Sequence, residues 1–301
     1  MRLVQSAITY GLYPFMLLVT GFLSWNAINK QFDLSIAFIG IAGLRFIFLQ
    51  STELIFPCRR EWTITWRSLL RDAKYGLVNF GTVKLYGFLG ALITIELTAN
   101  NPGLIEGAPL LIEIIIVALV FEFLQYWFHR ACHEMGGWVG DKLWCIHVAH
   151  HLPDKVYMVM HAVGHPLNLV VVFWFTPVAI WLTGASQEAL MVWFAFRGLH
   201  GLMSHFNVEI RAGWLNYLFV GTELHRFHHS ADLGESKNYG AFLVFWDLVF
   251  GTFVYKPGVN PARLGVETPG DYPASNEALK VLALPFVREK KARPAPAIYE
   301  A

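Results

Sequence analysis

An all-α integral membrane protein carrying a histidine-rich cytoplasmic cap is the fold class that this sequence predicts, on three observations. Hydrophobic residues make up 55% of the 301 and charged residues only 15%, and the mean hydropathy is positive, which removes the chain from the ordinary soluble class. Apolar runs recur that approach the length of about 20 residues a helix needs to cross a bilayer. All twelve histidines lie between His129 and His229, most of them at helical spacing.

Four stretches meet the length requirement: residues 8–28, 34–56, 76–97 and 104–128. No small-x-small cleavage site closely follows the first, and the second begins within a few residues, so the first is expected to be an uncleaved helix. Between the second and third, Arg59, Arg60, Arg67, Arg71 and Lys74 outnumber Glu61 and Asp72, whereas the connection at 98–103 carries no charge. The positive-inside rule then puts the basic loop, the N-terminus and everything after the fourth span in the cytoplasm. A fifth apolar region, 166–204, is interrupted at Thr183, Gly184, Ala185 and Ser186 and reads as a helical hairpin, full or re-entrant. Beyond Lys256 the chain turns Pro-rich and mixed in charge, as expected of a cytoplasmic tail, with Lys290, Lys291 and Arg293 solvated on it. The expected organisation is four transmembrane helices plus a hairpin, divided into an N-terminal membrane region (1–103), a catalytic region (104–255) and a tail (256–301).

A net charge of +1 gives no general case for a nucleic-acid partner. Cys58, Cys132 and Cys145 form no C-x-x-C pair and fall on the expected cytoplasmic side, where thiols stay reduced.

Imidazole is the commonest metal-ligating side chain, and residues three or four apart on a helix project from one face. His129 and His133 stand at i, i+4 where the fourth span leaves the bilayer. His147, His150 and His151 form H-x-x-H-H, and His225, His228 and His229 repeat it. Recurrence of that spacing points to metal ligation by these eight, more donors than the four that saturate a tetrahedral zinc, hence a dinuclear site. His165, at the mouth of the hairpin, and His205, at its end, return to the same membrane edge and are expected to join them. His161 and His200 read either as ligands or as hydrogen-bond partners that orient ligands. Glu122 lies seven residues before His129 on nearly the same helical face, and a carboxylate inside a span is a functional candidate, beside the metals or paired with Arg197.

The order HRACH, HVAHH, HP before the hairpin, SHFN, then HRFHHS followed by KNYGAFLVFWDLVFGTF resembles the fatty acid hydroxylase family, also called the sterol desaturase superfamily, over roughly residues 110–255. The resemblance implies a membrane-embedded non-haem di-iron oxygenase with a histidine-rich cytosolic cap. It implies His129, His133, His147, His150, His151, His165, His205, His225, His228 and His229 as direct ligands of two iron ions, with zinc able to replace iron in purified protein. His161 departs from the pattern.

Ferrous iron accepts imidazole well, and two adjacent irons supply electrons for splitting dioxygen and an oxidant able to attack an unactivated C–H bond. Hydroxylation of a membrane lipid, a sterol or an acyl chain, is the expected outcome, with desaturation the variant. The sequence holds neither C-x-x-C-H nor a cysteine set for an iron–sulfur cluster, so electrons are expected from a separate cytoplasmic donor. Two readings compete. A divalent-metal transporter or sensor would distribute polar ligands through the bilayer midplane, and a zinc hydrolase would favour H-E-x-x-H, which is absent. A chain of this length without a fused electron-transfer domain is expected in a bacterial inner membrane rather than the endoplasmic reticulum.

Overall fold

The computed structural model describes residues 2–98 and 103–287, and its architecture is helical throughout. In chain order the helices are α1 (Arg2–Asn29), α2 (Leu34–Ile55), α3 (Trp66–Thr98), α4 (Leu110–Glu134), α5 (Gly137–His151), α6 (Pro166–Thr183), α7 (Gln187–Ser204), α8 (Thr222–His228), α9 (Phe245–Val249) and α10 (Ala278–Val287). Five of them, α1, α2, α3, α4 and α6, are long and apolar enough to cross a membrane. The 22 residues of α2, for instance, rise about 33 Å at 1.5 Å each, against a hydrocarbon core of about 30 Å.

These helices are turned inside out relative to a soluble bundle. Leu18, Phe22, Ile36, Ile47 and Leu77 face outward, while α2 buries Ile41, Arg45, Leu49, Thr52 and Glu53 along one stripe. Lipid accepts the apolar face and the protein interior satisfies the polar one. Glu53 shows how: its Oε2 accepts the backbone N–H groups of Met158 and Asn207, both at 2.8 Å, and so ties two loops of the cap to α2.

Two helix starts differ from expectation. The basic segment is already helical from Trp66, because Thr65 and Ser68 cap each other's backbone N–H groups, at 2.8 and 3.3 Å. The fourth span begins at Leu110 rather than 104, since Gly103 and Gly107 sit at φ +80° and +76° and Pro109 caps the helix. The hairpin parts where the small residues interrupt it. Gly184 ends α6 in the left-handed conformation at φ 70°, and Ser186 caps α7 by accepting from Ala189 N–H.

Helix α7 occupies the middle, against α1, α2 and α4, while α6 joins α3 to α4. Helix α5 follows α4 closely and is covered by α10. Trp144, Val148, Val156, Tyr157 and Met160 share one apolar cluster with Leu264, Val266, Val281 and Leu284, so the chain after Lys256 packs onto α5 and the segment that follows it. Lys290, Lys291, Arg293 and most of the uncharged connection at 98–103 lie outside the described residues.

Candidate metal centre

The last turns of α4 and α5, the short α8 and the C-terminal end of α7 meet at one place. Nine histidines converge there in two groups. His129, His133, His147, His151 and His228 form the first, and His150, His205, His225 and His229 the second, each with its ligand atoms within 4.8 Å of one another. The two H-x-x-H-H patterns explain the division. At 100° per residue, positions i and i+4 nearly coincide on a helix while i+3 lies off to one side. Accordingly His147 and His151 turn to the first group and His150 to the second, whereas His225 and His229 turn to the second and His228 to the first. The groups abut, with the His151 and His229 rings stacked at 4.5 Å between centroids.

Tautomers decide what this arrangement can hold. His129 Nδ1 lies 2.8 Å from the Tyr239 carbonyl, His150 Nδ1 2.8 Å from that of Val163, His228 Nδ1 2.9 Å from that of Lys237, and His147 Nδ1 3.1 Å from Asn168 Oδ1. A nitrogen facing a carbonyl oxygen must carry the proton, which leaves each Nε2 as a bare lone pair. Yet His129 Nε2 stands 3.0 Å from His147 Nε2, and His147 and His228 each approach His151 Nε2 to 3.1 Å. In the second group the Nε2 atoms of His150, His205, His225 and His229 approach one another at 3.0 and 3.1 Å. Lone pairs packed this closely repel unless a cation lies between them. Imidazole nitrogens about 2.0–2.1 Å from a shared ion stand about 2.9 Å apart in octahedral and about 3.3 Å apart in tetrahedral geometry, so the spacing fits metal ligation.

Electrostatics agrees. Burial first, and then the neighbouring imidazoles, hold His147, His151, His225, His228 and His229 well below the ordinary histidine range, so all five are neutral and able to bind a cation at neutral pH.

The segment after α8 exists to present those carbonyls. Asn238 adopts φ 58° and bridges the Leu224 and Val254 carbonyls at 3.0 and 2.9 Å. Asp247 accepts from Tyr239 N and Gly240 N, both at 2.8 Å, and from Thr252 Oγ1 at 2.6 Å. Its burial raises the carboxyl to about 6. A side chain on Gly240 would stand 2.3 Å from the Leu243 carbonyl and 2.9 Å from Asp247, so only glycine fits. Arg226 joins neither histidine group and anchors α8 instead, donating to the Phe206 and Val208 carbonyls at 2.9 and 2.8 Å.

Four expected site residues lie outside the two groups. His165 caps α6: its Nδ1 accepts from Leu167 N–H and its Nε2 donates to the Leu282 carbonyl, both at 3.0 Å, so both nitrogens are taken up away from the two groups. A histidine directly before Pro166 is already at the start of a helix, where its lone pair meets a free N–H first. His200 donates through Nδ1 to the Phe196 carbonyl at 2.9 Å and receives the Tyr13 hydroxyl on Nε2 at 2.6 Å, inside the bundle. Glu122 is fully buried, and its Oε2 accepts the N–H groups of Ala241, Phe242 and Leu243 at 2.9, 3.0 and 3.4 Å, which holds the loop that carries Tyr239. His161 stays beside the second group, its ring 5.1 Å from that of His205. Burial, followed by the charges of His150 and Arg197, lowers it to about 4 although its ring retains accessible surface. Spacing and hydropathy do not single out Asn168, Glu53, Asp247 or the presenting carbonyls. Only Asp247 carries a signal, in the WDLVFGT string.

Residues 114–252 match the profile of the family described as Fatty acid hydroxylase. The matched stretch, just under half of the chain, carries the pattern of the fatty acid hydroxylase superfamily. It is 26% identical over 79% of its length to the ornithine lipid hydroxylase OlsE of Rhizobium tropici, covering 72% of that protein. It is also 26% identical to methylsterol monooxygenase 2-2 of Arabidopsis thaliana over 46% of this chain and 52% of the relative. Human alkylglycerol monooxygenase is 28% identical over 44% of this chain and 28% of its own length. Apart from the first, then, these fatty acid hydroxylase relatives are matched over about half of their length or less. No solved structure matches. All nine histidines of the two groups lie within the matched residues, and the long apolar helices make the chain a multi-pass membrane protein.

Proposed function

We propose that this protein is a di-iron oxygenase that hydroxylates a membrane lipid with dioxygen and electrons from a separate cytoplasmic donor. The observation that carries the reading is the convergence of nine imidazoles on two adjacent points, with the Nδ1 protons of four of them pinned outward. Nine donors in two abutting groups suit two iron ions better than one zinc with an open position. The names of the relatives support a lipid substrate, and hydroxylase or monooxygenase recurs among them.

Bound there, the two irons would supply the redox chemistry of dioxygen activation. The chain's own residues do the rest. The Tyr239, Val163 and Lys237 carbonyls and Asn168 orient the rings, and Trp144, 5.2 Å from His133 and 5.7 Å from His151, covers the first group against water. Helices α4 and α7 lead from the histidines into the bundle and form the path for a lipid. In this reading α1 to α4 span the membrane with α6 and α7 as a hairpin, the histidines lie on the cytoplasmic side of a bacterial inner membrane, and His165 is a capping residue rather than a ligand.

The test is metal content and Mössbauer spectroscopy on protein purified in neutral detergent, with oxygen consumption on a lipid extract. About two coupled irons per chain and lipid-dependent oxygen uptake are the expected result. One tightly held zinc, with no iron after anaerobic reconstitution, sinks the assignment.

A further inference from the structure

Beneath the histidines the bundle should be apolar if its only task were to hold a hydrocarbon chain. It is not. Helix α4 continues its ligand face from His129 downward through Gln125 and Glu122, and α7 continues from His205 through Gly201, Arg197 and Trp193, each about one turn apart. The two faces meet at Phe121, whose ring lies 4.7 Å from the Arg197 guanidinium and 4.9 Å from the Trp193 ring. Around it, Arg197 Nε, Trp193 Nε1, Gln125 Oε1 and Glu122 Oε1 are all buried without a hydrogen-bond partner among the described residues. Glu122 and Arg197 feel each other's charge but form no direct ion pair. Orphaned polar atoms at this density are rare in native interiors, and each costs on the order of a lost hydrogen bond.

Space accompanies them. Gly201 leaves room for His161, whose Nε2 lies 3.0 Å from where a Cβ would stand. His161 is exposed and Arg197 half-buried, so accessible surface adjoins these groups next to the second histidine group.

We infer that these unpartnered groups form a seat for a neutral hydrogen-bonding group of the substrate, one that both accepts and donates: a secondary amide or a hydroxyl on the lipid, rather than an ester. Opposite charges on Glu122 and Arg197 make the seat neutral overall, which disfavours a charged headgroup. The unpartnered atoms comprise donors, Arg197 and Trp193, and acceptors, Gln125 and Glu122. An ester oxygen answers only the donors. An amide answers both, its carbonyl accepting from Arg197 or Trp193 and its N–H donating to Gln125 or Glu122, and a hydroxyl does the same with one atom. Such recognition discriminates steeply, because a ligand lacking one partner leaves a buried polar atom unpaired. The inference rests on the lipid-oxygenase reading and names the substrate's functional group.

Native mass spectrometry of the metal-loaded protein in neutral detergent tests it with four probes of equal chain length: N-methylpalmitamide, 2-hexadecanol, methyl palmitate and hexadecane. The amide or the alcohol is expected to be retained about 10-fold more than the ester, and the ester little more than the alkane. Whichever of the two leads identifies the source of the group. In Arg197→Met and Gln125→Leu the preference over the ester is expected to fall to about 2-fold or less with metal content unchanged; Trp193→Phe, a milder change, should fall between. Equal retention of amide, alcohol and ester by the unaltered protein, or retention of none, overturns the inference. The oxygenase reading fails separately, on iron content and oxygen uptake.

Discussion

The two histidine groups are built to different standards. The first hangs on long helices: His129 and His133 end the 25-residue α4, and His147 and His151 end α5. Asn168 and two backbone carbonyls pin three of its rings. The second draws on helix ends and on α8: the Val163 carbonyl and Ser204 hold His150 and His205, but the Nδ1 atoms of His225 and His229 are buried without a partner among the described residues. It has four members to the first group's five, with His161 beside it. A more crowded centre therefore sits next to a looser one that lies beside His161. Ligands fixed by outer partners bind metal more tightly than ligands left to find their own orientation, so the two ions should differ in how they are held.

Removing ligands breaks the comparison most severely. His147 Nε2 lies 3.0 Å from His129 Nε2 and 3.1 Å from His151 Nε2, at the middle of the first group. In His147→Ala one of the two ions is expected to be lost outright and oxygen uptake to fall to background, a drop of at least about 100-fold. Stepwise chelation of the unaltered protein should strip the second group's ion first. Metal analysis against chelator concentration reads both, and simultaneous release of the two ions would show that the groups do not differ.

Acid tests both groups at once. The buried histidines have folded-state pKa values below 6.5, His147 and His229 well below it. The unfolded chain therefore binds more protons than the folded one between those values and 6.5, and stability rises with pH across that window. Metal-free protein should hold its full stability above about pH 6.5 and lose it progressively as pH falls below that, at up to about 1.4 kcal/mol per unit for each buried group. Bound metal should move the loss to lower pH, because protons must then displace it. A metal-free melting temperature unchanged from pH 7 to 5 would contradict the burial of these rings.

Asn168→Leu separates orientation from ligation. The substitution keeps all nine donors but removes the acceptor that fixes His147. Metal affinity of the first centre is expected to fall about 10- to 100-fold, with the second centre unaffected. Ser204→Ala, which removes a contact of 3.0 Å to His205 Nδ1, is the counterpart in the second group, and its smaller effect measures how little that group depends on outer partners.

Much of this architecture is legible in the amino-acid sequence. Spacing alone sorts the H-x-x-H-H patterns to a shared site, because helical periodicity is a local property, and hydropathy locates the apolar helices and the break at Gly184. What the sequence hides is non-local. Glu122 reads as a metal neighbour because it shares a face with His129, yet three backbone N–H groups from residues 241–243 take its carboxylate, and nothing local to α4 announces them. Asn168 is an ordinary polar residue in an apolar helix until α6 is set against α5. The presenting carbonyls have no side-chain signature at all. The helix starts at Trp66 and Leu110 escape for the opposite reason, since hydropathy ignores capping hydroxyls and positive-φ glycines.

His165 gives the smallest and most discriminating outcome. Its residue type, its place at the hairpin mouth and its family resemblance all mark it as a ligand, but Nδ1 receives the Leu167 N–H and Nε2 reaches Leu282 of α10. A ligand and a cap fail differently. Loss of a ligand would remove an ion, whereas loss of the cap in His165→Ala should cost about 1 kcal/mol of stability with iron content unchanged. His165→Asn restores an N-cap acceptor without the reach to Leu282, so it should recover most of that loss at α6 while α10 stays loosened. Hydrogen exchange would register that loosening as faster exchange at Val281 to Leu284 alone. Should His165→Ala shed iron instead, the hairpin mouth must close on the metals when they bind, and the first group would gain a sixth donor from α6.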